Sequence, residues 1–124
     1  MKRKEYELFI ESLLSKSHAE ARQWLNAAKT PDHRSLARFR TAKAALQFVE
    51  TLYAAGAEAV IAAVIYAGRH GKQFSDRLLV KLPKTPAKRR ALRQICQDLC
   101  AKRGGALLPD EKDMGESHLF ILLE

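Results

Sequence analysis

Four cations and one aromatic ring give the strongest chemical signal in this 124-residue chain. Arg38 and Arg40 lie two apart in SLARFR (35–40), and Arg77 and Lys81 lie four apart in DRLLVKLP (76–83). Both stretches alternate with a period of two, so even spacing places side chains on one face of a strand. If Ala37, Phe39, Leu78, Val80 and Leu82 face a core, then Arg38, Arg40, Arg77 and Lys81 face away from it. On adjacent strands the four would repel one another unless acids or an anionic partner compensate them. Phe120, in the closing stretch HLFILL (118–123), would add a stacking surface beside them. That combination suits a phosphate-bearing ligand or a nucleic acid.

A second basic surface lies in the segment 84–103, where Lys88, Arg89, Arg90 and Arg93 follow Lys84 and precede Lys102 and Arg103. A helix can offer such charges to phosphates as a sequence-blind contact. The same charges also make an ordinary solvated helix face, with Lys102 and Arg103 favourably placed at the negative end of the dipole.

Other reactive residue types lack a chemical pattern. Gly68-Arg69-His70-Gly71-Lys72 has neither P-loop spacing nor a following helix, and reads as a hairpin connection. Cys96 and Cys100 are two thiols without a second pair, a poor zinc signal, and read as a core residue and its half-buried neighbour. Asp110, Glu111, Asp113 and Glu116 do not follow the spaced EF-hand pattern and read as a solvated loop. His18, His33, His70 and His118 are scattered over different elements. No nucleophile–base pairing emerges, so the expectation is no enzyme, no catalytic residue, no metal and no cofactor.

The elements that must position these residues follow from periodicity. Thr41 is an N-cap candidate, and Ala42, Ala45, Leu46, Val49, Leu52 and Tyr53 form an apolar stripe behind it. Gly56 stops that helix, and the uncharged run from Val60 to Tyr66 is a buried strand. Pro83 closes the strand over 76–82, and Thr85-Pro86 opens a second helix over 86–103. Residues 118–123 form the last strand. Upstream, the stripe Tyr6, Ile10, Leu13, Leu14 and the capping box Ser17-His-Ala-Glu20 predict a helical hairpin over 3–29, ended by Thr30-Pro31-Asp32. Trp24 should be buried where that hairpin docks.

From residue 35 onward the order is β-α-β-β-α-β, with two helices on one face of a four-stranded antiparallel sheet. This resembles the ferredoxin-like sandwich in element order, over about 90 residues and without signature residues. The RNA-recognition motif shares the order but needs aromatics on its third strand, and DRLLVKL has none. The chain is expected to be one α+β domain, with 3–29 as an extension of the sandwich 35–124. Three fates stay open for the bare sheet face: cover by the hairpin with Glu7 and Glu11 neutralising the arginines, a homodimer, or ligand binding.

Lys and Arg number 22 against 14 Asp and Glu, a formal charge of +8, which favours anionic partners. No apolar leader core follows MKRKEYE, no run is long enough to span a bilayer, and two cysteines suggest no disulfide framework; a cytoplasmic protein away from membranes is expected. The function indicated is a non-catalytic protein-interaction or small-ligand regulatory module, with a protein partner or homodimer. The alternative is a sequence-nonspecific nucleic-acid or polyanion binder that uses the basic sheet or helix surface.

Overall fold

Residues 41–56 show how local chemistry sets the frame. Thr41 Oγ1 accepts a hydrogen bond from the Ala44 amide at 3.0 Å, which caps the helix that follows. At its other end Gly56 takes φ +112°, and the amides of Gly56 and Ala57 bond back to Tyr53 and Leu52. These paired bonds form a Schellman stop, which glycine allows and a side chain resists.

The computed structural model describes residues 2–30, 33–110 and 112–123. Pro31, Asp32 and Glu111, named in the sequence reading of a helix end and an acidic loop, lie outside them. In chain order the elements are α1 (Arg3–Leu14), β1 (His18–Glu20), α2 (Ala21–Asn26), β2 (Arg34–Leu36), α3 (Ala42–Ala54), β3 (Ala59–Ala63), β4 (Tyr66–Ala67), β5 (Gln73–Ser75), β6 (Arg77–Lys81), α4 (Pro86–Arg103), β7 (Ala106–Leu108) and β8 (His118–Leu122). A 3-10 turn, Arg69–Gly71, joins β4 to β5.

The fold is mixed α+β: five strands in the order β1-β3-β6-β8-β7, every pair antiparallel, with helices on both faces. A small second sheet, β2-β5-β4, flanks it. On one face of the large sheet Val60, Ala62, Leu78, Val80, Leu119 and Ile121 pack against α2, α3 and α4. On the other, Ala63, Leu79 and Phe120 meet Tyr6, Ile10 and Leu13 of α1. Cover on both faces explains why β3 has no polar alternation. Each fully buried α1 side chain stabilises this docking by roughly 1.5–3 kcal/mol.

Three expectations change. Residues 35–40 are not the first strand of the large sheet; strand β2 pairs parallel to β5 in the small sheet and ends at Leu36. The Phe39 amide then bonds to the Leu36 carbonyl and Arg38 takes φ +71°, so the alternation 35–40 is broken by a turn. The large sheet therefore has five strands and helices on both sides, not the four-stranded, one-sided ferredoxin-like order. Residues 3–29 are not a helical hairpin either. Residues 18–20 pair with β3 as an edge strand, sending α1 to one face and α2 to the other. Glu20, expected at the third turn position, is itself the cap of α2, accepting from the Arg22 and Gln23 amides at 3.1 and 2.6 Å.

Trp24 is buried, with Nε1 donating to Gln73 Oε1 at 2.9 Å. The run beginning at Val60 breaks at Val64, whose φ of +53° is an outlier for a β-branched residue and turns the chain out of the large sheet into β4.

Candidate anion-binding cleft

Where β6 ends, three lysines converge. Lys81 is its last residue, opposite Ala59 of β3 and His118 of β8. Pro83 then leaves the sheet and Pro86 occupies the first turn of α4, so Lys84 and Lys88 stand on either side of the helix start. A cleft of about 590 Å³ opens there, lined by Glu58, Lys81, Lys84, Lys88, Gly115 and Ser117 among others. The three lysines are exposed and, among the described residues, have no ion-pair partner. The Lys88 stem passes close to Gly56: its Cδ lies 2.8 Å from where a Cβ on Gly56 would stand. The missing side chain of the α3 stop thus makes room for a cation of α4.

Arg89 and Arg93, on the same helix, are internal. Arg89 donates to both oxygens of Asp113 at 2.8 and 2.7 Å and to the Glu116 carbonyl at 2.9 Å. Arg93 donates to Glu116 Oε1 at 2.7 Å and to the Pro109 carbonyl at 2.6 Å. The Glu116 side chain is wholly removed from solvent, and its Oε2 accepts from the Met114 amide at 2.8 Å. Bonds from Arg89 hold the Asp113 carboxyl well below the usual carboxylate range. The loop expected to be solvated is therefore clamped to α4, and of Lys88, Arg89, Arg90 and Arg93 only Lys88 and Arg90 remain exposed, with Lys102 and Arg103 exposed at the far end of the helix. The i, i+4 spacing of the arginines against two acids three apart was a signal for this pairing.

Ser117 links the cleft to α1. Its amide and hydroxyl donate to the two oxygens of Glu7 at 2.8 and 2.7 Å. Because that single hydroxyl proton goes to Glu7, His118 Nδ1, 2.7 Å from Ser117 Oγ, must carry its own proton. Burial pushes the Glu7 carboxyl up, but the two Ser117 bonds outweigh it and the group titrates below its ordinary value. Burial, with Lys81 adding to it and Glu7 opposing, lowers the His118 ring. Glu7, which in one of the three open readings would neutralise the arginines, instead fastens α1 to the start of β8.

The predicted sheet patch is dispersed. Arg38 and Arg40 are exposed on the turn after β2, where the Arg38 carbonyl accepts from Arg103 Nη1 at 2.8 Å. Arg77 is half-buried and donates to Asp76 Oδ1 at 3.0 Å and to the Tyr66 hydroxyl at 2.6 Å. Leu79, between Arg77 and Lys81 on their face of β6, is buried under α1. Phe120 is buried too, its ring edge-on to Phe9 at 5.1 Å between centroids. The structure instead brings Lys81 together with Lys88 and Arg89, and adds Lys84 and Glu58, which strand parity alone could not single out.

Cys96 is buried and free, its thiol pushed up to about 12 by that burial, and Cys100 is half-buried and free. Among the described residues no group of three His, Cys, Asp or Glu is placed to hold a metal ion, and no helix is long and apolar enough to cross a membrane. Comparison of the chain with protein-family models, with curated proteins and with solved structures finds no match.

Proposed function

We propose that this protein is a non-catalytic small-ligand-binding module whose ligand carries a phosphate or comparable multivalent anion, held by Lys81, Lys84 and Lys88. The observation that carries this reading is the convergence of three unpaired lysines on one cleft while the neighbouring arginines are consumed by internal acids. A volume near 590 Å³ lies within the range of roughly 300–1,000 Å³ usual for small-molecule sites. The first-turn amides of α4 add the same sign, since Thr85 makes no side-chain cap bond to them. The non-catalytic part rests on Ser117: its amide, the natural donor to a developing oxyanion beside its hydroxyl, is already bonded to Glu7.

Calorimetric titration with tripolyphosphate at low ionic strength tests it. Saturable binding to one site is expected, weakened at least about tenfold in a Lys81→Ala/Lys88→Ala variant that melts like the native chain. Equal affinity of the variant and the native chain would remove the cleft from consideration.

A further inference from the structure

The small sheet presents a second surface with different chemistry. One of its faces carries Leu36, Gln73 and Ser75, and turns to the core: Leu36 and Ser75 are buried and Gln73 holds Trp24. Its other face carries Tyr66, Phe74 and Ser35, directly opposite one another on β4, β5 and β2. Tyr66 and Phe74 are 36% and 44% exposed, the two large aromatics left most open to solvent. Their rings stack at 5.0 Å between centroids with an interplanar angle of 26°. Arg77 steadies the pair through the Tyr66 hydroxyl.

Strand order decides which ring face is free. Phe74 lies between Tyr66 and Ser35, so Tyr66 covers one side of its ring and a small serine stands on the other. On that serine side a hollow of about 450 Å³ opens, walled by Phe74, Ser35, Gly68, Arg69, His70 and Lys72. Among the described residues no carboxylate lines it. Arg69 and His70 are exposed on the 3-10 turn, and His70 takes φ +59°, which sharpens the bend that brings them to the rim. An open aromatic face in a hollow that also bears the exposed Arg69 complements a ligand with a flat π surface joined to a negative backbone.

We propose that Phe74, buttressed by Tyr66, is a stacking platform for a base of single-stranded nucleic acid, with Arg69 meeting the adjoining phosphate. Every base has a π face, so this contact is tolerant of sequence and accepts RNA and DNA alike. It is separate from the lysine cleft, because Arg77 and Lys81 stand at opposite ends of β6.

The test is fluorescence anisotropy on the full chain with labelled oligouridylate and oligothymidylate of about 12 nucleotides, a length within the usual reach of such sites. Both are expected to bind. Phe74→Leu keeps apolar bulk without a ring and should weaken binding at least about fivefold, the loss of one base stack, whereas Phe74→Trp should retain or tighten it. Arg69→Ala should make the salt dependence shallower by about one unit. Melting curves identify variants that stay folded, and the Leu and Trp pair preserves the comparison if an alanine variant does not. Absence of saturable binding at low salt, or equal binding by the Leu variant, overturns the proposal. So does Phe74-dependent self-association without oligonucleotide binding, which would mark a protein interface. Binding abolished in a Lys81→Ala/Lys84→Ala/Lys88→Ala variant yet indifferent to Phe74 would assign it to the cleft and overturn the platform.

Discussion

Arg93 Nη2 lies 2.7 Å from Oε1 of Glu116, whose side chain is fully buried. The pair joins α4 to the segment leading into β8, and so fixes one wall of the lysine cleft. Glu116→Ala leaves the Arg93 guanidinium, only 12% exposed, without its carboxylate. A loss of about 3–5 kcal/mol is expected, because breaking a buried pair strands a charge. Glu116→Gln keeps an acceptor for Arg93 and should cost less. Urea denaturation measures both; an alanine variant within about 0.5 kcal/mol of native, the range of ordinary surface substitutions, would contradict this account.

Acid should unfold the protein, and the sign follows from the direction of each shift. Folded Glu7 and Asp113 titrate below their ordinary 4.5 and 3.8. Their contribution is fully present above those unfolded values and is lost as pH falls through the folded ones. His118 lies below its ordinary 6.5, so the unfolded chain takes up its proton first and stability begins to fall below that pH. Glu20 is also lowered: burial raises it, but the bond from the Tyr53 hydroxyl and two amides prevail. In all four cases the unfolded state binds more protons, and stability rises with pH. Melting midpoints should fall steadily from pH 7 to 3, with a shallower acid limb in Glu7→Gln. A midpoint that holds or rises on acidification would oppose the assignment.

Gly56→Ala is a sharper probe of the cleft than any lysine substitution. Its φ of +112° suits glycine, and an added Cβ would stand 2.8 Å from Lys88 Cδ. Left-handed backbone costs a residue with a side chain about 1–2 kcal/mol. The variant should be destabilised by at least that much and should also bind tripolyphosphate more weakly, since Lys88 must move aside. Unchanged affinity would show that the Lys88 stem is not positioned by Gly56.

What the sequence revealed and what it hid divide along a physical line. Helices α3 and α4 and strand β6 were legible because each combines an apolar period with a terminal mark, Thr41 and Gly56, Thr85-Pro86, or Pro83, while β3 and β8 were legible as short uncharged apolar runs. The stretch 35–40 misled because strict alternation says nothing about the partner strand, and the turn at Arg38 is a backbone event without a sequence mark. Residues 17–20 matched a capping box, yet pairing with β3 overrode that local preference. The cleft was half legible. Lys81 and Lys88 were named for charge, but their meeting depends on the end of β6 and the start of α4 converging in space. The arginines of α4 looked equally free until Asp113 and Glu116 were seen to fold back on them.

Tyr6 tests the docking of α1. Its hydroxyl lies 2.7 Å from the His118 carbonyl and 3.0 Å from that of Leu108, inside the layer between helix and sheet. Burial, with Glu116 and Glu7 nearby, raises the hydroxyl far above its usual range, so it stays a donor at any working pH. Tyr6→Phe keeps the ring and leaves those carbonyls without it, at a cost of about 1–3 kcal/mol. Amide exchange along α1 should quicken with it. An equally stable variant would mean that apolar packing alone seats the helix.

The central claim is best tested by amide chemical-shift mapping of the ¹⁵N-labelled chain titrated with tripolyphosphate. Residues around Lys81, Lys84, Lys88 and Ser117 should move together and saturate, while those around Arg38, Arg40 and Phe120 stay still. Shifts confined to the turn at Arg38, or spread thinly over every basic residue without saturation, would contradict a built site at the end of β6.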